Sequence, residues 1–131
     1  MSVWKIAIAA AGSALVLAAC GSTSTDNGGS SCSQQGGTTS GTGTATVKVV
    51  SDPNTIGKYD PSTVSVKTGE TVEWDFQDSS TQHSVTSDES GVFDSCLQGA
   101  GAKFVVTFSK AGDFKYHCTI HAQMTADVKV S

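Results

Sequence analysis

From Ala45 to Val130 apolar and polar residues alternate in short runs, and this alternation restricts the fold more than any other feature of the chain. Val47 and Val49, Val64 and Val66, and Val72, Trp74 and Phe76 around Glu73 and Asp75 recur at every second position. That is the period at which a strand buries one face. Turn-forming segments separate the runs: Ser51-Asp52-Pro53-Asn54, Tyr59-Asp60-Pro61 and Lys67-Thr68-Gly69-Glu70. Further strands are predicted at Ser84–Thr86, Phe104–Phe108, Phe114–Cys118 and Ala126–Val130, and no stretch of this region sustains a helical period. Seven or so short strands predict an all-β domain, a small antiparallel sandwich or barrel with Greek-key connections. Ser87 to Lys103 is the least regular stretch and is expected to be a long surface loop.

Near the C-terminal end the alternation carries a concentrated set of metal donors. Cys118, His121 and Met124 follow one another as Cys-x-x-His-x-x-Met, and His83 lies 35 residues before the cysteine. A cysteine at a strand end, a tight loop with two more donors and a distant histidine from a neighbouring strand can converge on one ion. Taken singly, His83 is a loop histidine, Cys118 a buried thiol and Met124 a core side chain. Together, two imidazoles, a thiolate and a weak axial thioether are the ligand set of a blue-copper electron-transfer centre. His117, next to the cysteine, is expected to face the opposite side of the strand and to stay out of the site.

The segment Tyr116-His117-Cys118-Thr119-x-His121-x-x-Met124 resembles the ligand loop of the cupredoxins, and its short gap between Cys and Met is closest to that of the amicyanins. Thr68-Gly69-Glu70-Thr71-Val72-Glu73-Trp74, Thr81-Gln82-His83-Ser84-Val85, Phe93-Asp94-Ser95 and Gly112-Asp113-Phe114 are also similar to the family pattern. The resemblance implies a Greek-key β-sandwich of seven to eight strands over residues 45–131. It places His83, Cys118 and His121 in the trigonal plane of one copper ion that cycles between Cu(II) and Cu(I), with Met124 as axial ligand. It also implies that Ser84 and Thr119 tie the two ligand loops together, and that Ile120, His121 and Ala122 form the exit route for electrons. Ile120 departs from the proline common before the second histidine in amicyanins and plastocyanins, which bears on the potential more than on ligation.

The N-terminal third has a different character. Lys5 and the apolar run Ile6–Ala19 read as an export signal, and Leu17-Ala18-Ala19-Cys20-Gly21 resembles the lipobox of bacterial lipoproteins. That resemblance implies cleavage after residue 19 and lipid on Cys20, with an ordinary secretory signal as the alternative. Residues 20–44, almost all Gly, Ser, Thr, Asn and Gln, read as a flexible linker. With Cys20 assigned to lipid and Cys118 to metal, Cys32 and Cys96 are either a disulfide or two free thiols, and an oxidising compartment favours the bridge.

From Cys20 onward, 12 carboxylates face seven lysines and no arginine, a surface unsuited to nucleic acid. Four protein ligands leave no open position of the kind a catalytic metal keeps, so an enzyme is not expected. The functional expectation is a monomeric, membrane-tethered blue copper protein on the outer side of a bacterial cytoplasmic membrane or in the periplasm, passing single electrons between redox proteins. The alternative is a copper-binding module for delivery or storage.

Overall fold

The computed structural model describes residues 31–131. The expected signal at 1–19, the lipid-bearing Cys20 and the first part of the linker lie outside the described residues. Eight strands follow in chain order: β1 Ala45–Asp52, β2 Ile56–Asp60, β3 Thr63–Val66, β4 Thr71–Phe76, β5 Thr86–Ser87, β6 Lys103–Thr107, β7 Gly112–Cys118 and β8 His121–Val130. They form two four-stranded sheets, β2-β1-β4-β6 and β3-β8-β7-β5, so the all-β sandwich expected from the alternation is what the chain adopts. Each sheet also holds one parallel pair, β1 with β4 and β3 with β8. Between β2 and β4 the chain visits the other sheet as β3, and it returns on the far side of β1 running in the same direction.

The alternation becomes the core. Val47, Val49, Val72, Trp74, Phe76, Phe104, Tyr116 and Val128 are all buried in one apolar cluster drawn from both sheets. Trp74 is its centre, with Phe93, Phe104 and Tyr116 rings 5.4 to 6.1 Å away. Burial of that much apolar area is the main force holding the sheets together.

Two expectations about irregular segments need correction. Of the linker expected over residues 20–44, the described part, residues 31–44, forms a strap that runs along the domain. Gln35 pairs with Asp94 and Thr38 with Val105 through reciprocal backbone hydrogen bonds of 2.8 to 2.9 Å. Cys32 and Cys96 form a disulfide with Cα atoms 5.8 Å apart. The Gly43 N–H donates to Glu73 Oε2 at 2.9 Å, and Glu73 Oε1 holds Lys103 Nζ at 2.7 Å, which explains why this carboxylate is buried on a strand face expected to be open. The lysine and the Gly43 N–H hold the Glu73 carboxyl below its ordinary range. A side chain at Gly37 would collide with the Phe104 ring, and one at Gly43 with Glu73. Glycine thus permits a close approach, and the strap covers the otherwise open edge of β6, the usual remedy for an unpaired edge strand.

The expected surface loop between β5 and β6 is also anchored. Phe93 and Ser95 are buried, and Asp94 and Gln98 form bridges to Thr86, Gln35 and His83. Backbone pairing and two buried side chains, neither visible as periodicity, hold it in place.

Candidate metal centre

Three of the expected donors meet at one end of the sandwich. Cys118 closes β7, and Thr119 and Ile120 make the turn. His121 opens β8 directly opposite the cysteine. One residue earlier His117 is opposite Thr125, so Ala122, Gln123 and Met124 are extra residues on β8, a bulge of the kind that re-aims side chains at functional sites. Met124, within that bulge, is buried in the core cluster. His83 arrives from the segment before β5, its N–H and C=O bonded to Gln98 at 3.0 and 2.8 Å.

Nδ1 of His83 lies 3.1 Å from Nδ1 of His121, and Cys118 Sγ lies 3.4 Å from the same His121 nitrogen. One ligand atom from each of His83, Cys118 and His121 falls within 4.8 Å of the others. Imidazole nitrogen and thiolate sulfur bind a metal such as zinc at about 2.0 to 2.3 Å, so three such donors in a plane around one ion stand about 3.5 to 3.8 Å apart. The observed 3.1 and 3.4 Å fall just short of that range, so outward shifts of a few tenths of an ångström would seat a single ion. Burial, followed by the neighbouring His83, keeps the His121 imidazole below its ordinary pKa, which favours the neutral form that ligates metal.

The surroundings hold this geometry. Ser84 donates its backbone N–H to Cys118 Sγ at 3.4 Å. Its hydroxyl accepts the Thr119 N–H at 3.0 Å and lies 3.2 Å from the Thr119 hydroxyl, so Ser84 and Thr119 join the two donor loops. The Tyr59 hydroxyl donates to the Ser84 carbonyl at 2.5 Å. His117 faces away and pairs with Asp88 at 2.6 Å.

Two contributors were missed in the sequence. Asp78 is buried and lies 2.8 Å from His83 Nε2. Gly57 lies against the imidazole: a Cβ there would be 2.3 Å from His83 Cε1. A carboxylate five residues before a suspected histidine ligand was a signal for the first; only the fold reveals the second. Gly57→Ala is expected to drive the ring out of place and lower stability by about 1–3 kcal/mol, the usual cost of overpacking. Denaturant unfolding of the metal-free protein measures it, and an unchanged midpoint would show that the ring has room to yield.

The family described as copper binding proteins, plastocyanin/azurin family, matches residues 45–131. Among solved structures, a purple cupredoxin from Nitrosopumilus maritimus is similar at 26% identity and a TM-score of 0.56, over 64% of this chain and 98% of its own. A proline-to-glycine variant of amicyanin, in its reduced Cu(I) form at pH 4, is similar at 26% identity and a TM-score of 0.55, over 66% of this chain and 82% of its own. No curated protein sequence matches the chain.

Proposed function

We infer the function from one premise: this chain belongs to the plastocyanin/azurin family of copper-binding proteins. One copper ion is the cofactor that the family and the donor chemistry support together. We propose that His83, Cys118, His121 and Met124 would hold it, and that the protein carries single electrons between redox proteins. The observation that carries this reading is the convergence of the His83 and His121 Nδ1 atoms with Cys118 Sγ at 3.1 and 3.4 Å. Bound there, copper supplies a one-electron Cu(II)/Cu(I) couple.

The protein's own part is to keep the donors still. Cys118 serves as thiolate, with the Ser84 N–H on its sulfur; the two imidazoles serve as neutral donors, and strands on both sides fix the loops that bear them. Small movement between oxidation states favours fast transfer. His121 is half-buried and its neighbour Ile120 is exposed. Across a shallow recess Ile56 is 61% exposed, giving an apolar rim through which a partner can approach. The acidic balance elsewhere steers a basic partner.

The cellular setting is likewise proposed: export, a lipid on Cys20 and action as a monomer at a membrane surface. Its support is the signal-like sequence of residues 1–20 and the Cys32–Cys96 disulfide, which belongs in an oxidising compartment.

Adding Cu(II) to the soluble domain is expected to give one bound ion, an intense absorption band in the red and a reversible voltammetric wave. Colourless uptake would overturn the electron-carrier reading, and ready loss of Cu(I) to acceptor proteins without useful electron transfer would favour delivery. Ser84→Ala is expected to shift the potential and weaken copper binding by about tenfold, while the colour persists because the backbone N–H on the sulfur remains. An unchanged spectrum, potential and affinity would remove the hydroxyl from the site.

A further inference from the structure

We propose that Asp78 is a positioning residue that fixes which nitrogen His83 turns toward the metal and, through its charge, favours the more oxidised ion. The inference rests on the copper reading above, but its starting point is a contact within the protein itself. The two carboxylate oxygens have different partners. Oδ1 accepts the Ser80 backbone N–H at 2.8 Å and the Ser80 hydroxyl at 2.5 Å, closing a local turn. Oδ2 lies 2.8 Å from His83 Nε2, with both side chains almost completely buried.

A local turn accounts for Oδ1 alone. An ionised carboxylate can only accept hydrogen bonds, so the Oδ2 contact requires the proton of a neutral His83 to be on Nε2. That leaves the Nδ1 lone pair facing His121 Nδ1 and the Cys118 sulfur. Rotation of the ring would break the bond to Asp78, and the ring occupies the space a side chain at Gly57 would need, a Cβ there coming 2.3 Å from Cε1. The carboxylate, Gly57 and the backbone bridge to Gln98 therefore hold one ring in one orientation. The charge has a second consequence. A buried anion bonded to a ligand imidazole raises the basicity of the opposite nitrogen, which benefits the more highly charged metal ion more.

Nitrogen NMR of the metal-free protein, which needs no variant, is expected to find the His83 ring protonated on Nε2; protonation on Nδ1 would overturn the assignment. Asp78→Ala is expected to mix the two tautomers and to lower Cu(II) affinity by 10- to 100-fold, the range for removal of a ligand's hydrogen-bond partner. Asp78→Asn keeps size and, with its NH2 turned toward Ser80, one acceptor for His83 but removes the charge, and it is expected to raise the reduction potential while retaining most of the affinity. Ser80→Ala removes one hydrogen bond to Oδ1 without touching the Oδ2 contact and is expected to leave tautomer and potential unchanged. An Asp78→Ala protein that folds, with normal tautomer and Cu(II) affinity, overturns the inference. So does a Ser80→Ala protein that reproduces its effects. Wild-type protein that takes up no copper defeats the functional reading and this inference with it, whereas normal uptake with unaltered Asp78 variants defeats the inference alone.

Discussion

Cys118→Ser is expected to abolish the red absorption band and to lower copper affinity by more than the 10- to 100-fold that changes around a ligand usually cost. The thiolate is the only strongly covalent donor in the proposed set, and a hydroxyl at the same place is a hard, weakly acidic oxygen that copper of either charge binds poorly beside two imidazoles. The fold should survive. The side chain is buried and small, and the Ser84 N–H that now meets sulfur at 3.4 Å would meet an oxygen, so the net cost is about 1–3 kcal/mol for a polar atom placed in the interior. Visible spectra and copper titration of the variant beside the wild type decide it. Retention of the band would remove Cys118 from the centre and, with it, the roles given to Ser84 and His121.

Replacing Cys32 and Cys96 by serine is expected to lower stability by about 4 kcal/mol, the chain-entropy value for a crosslink spanning 64 residues. That is a large share of the roughly 5–15 kcal/mol that a domain has in all. The effect should also be local. The bridge holds the strap to the segment that contains Asp94, Ser95 and Gln98, and these residues bond to Thr86, Val85 and His83. Faster hydrogen exchange at Gln35, Thr38 and Asp94 should therefore accompany the lower midpoint. Equal denaturation midpoints for oxidised and reduced wild-type protein would mean that hydrogen bonds alone keep the strap in place.

Much of the architecture was legible because its cause is a short-range pattern. Val72, Trp74 and Phe76 alternate with polar residues, and the strand they predict is β4. Gly112 precedes Phe114–Cys118, which became β7. The ligand loop was legible for a similar reason: Cys118, His121 and Met124 are close in sequence, and a two-residue turn after a strand brings the first two opposite each other. The segment before β5 was harder. Only Thr86 and Ser87 are strand in a stretch expected to be extended from Ser84, because Ser84 spends its backbone N–H on a sulfur atom instead of a neighbouring strand.

The strap is hidden from composition for a physical reason. Gly36, Gly37 and Thr38 have almost no apolar surface to bury, and by hydropathy alone they belong to a mobile linker. They dock through backbone hydrogen bonds, a disulfide and close approach at glycine, and each of these depends on what lies opposite. The same holds for Gly57, whose missing side chain matters only because a histidine 26 residues later rests against it.

By itself, then, the order of residues determined the all-β class, the strand runs and the donor types, since alternation, turn chemistry and ligand softness are properties of neighbours along the chain. Tertiary structure alone decided that His83 faces His121 at 3.1 Å, that Asp78 and Gly57 hold its ring, and that residues 31–44 cover a sheet edge. Those contacts join positions far apart in sequence, and their energies depend on distance and burial, which no local pattern of residues encodes.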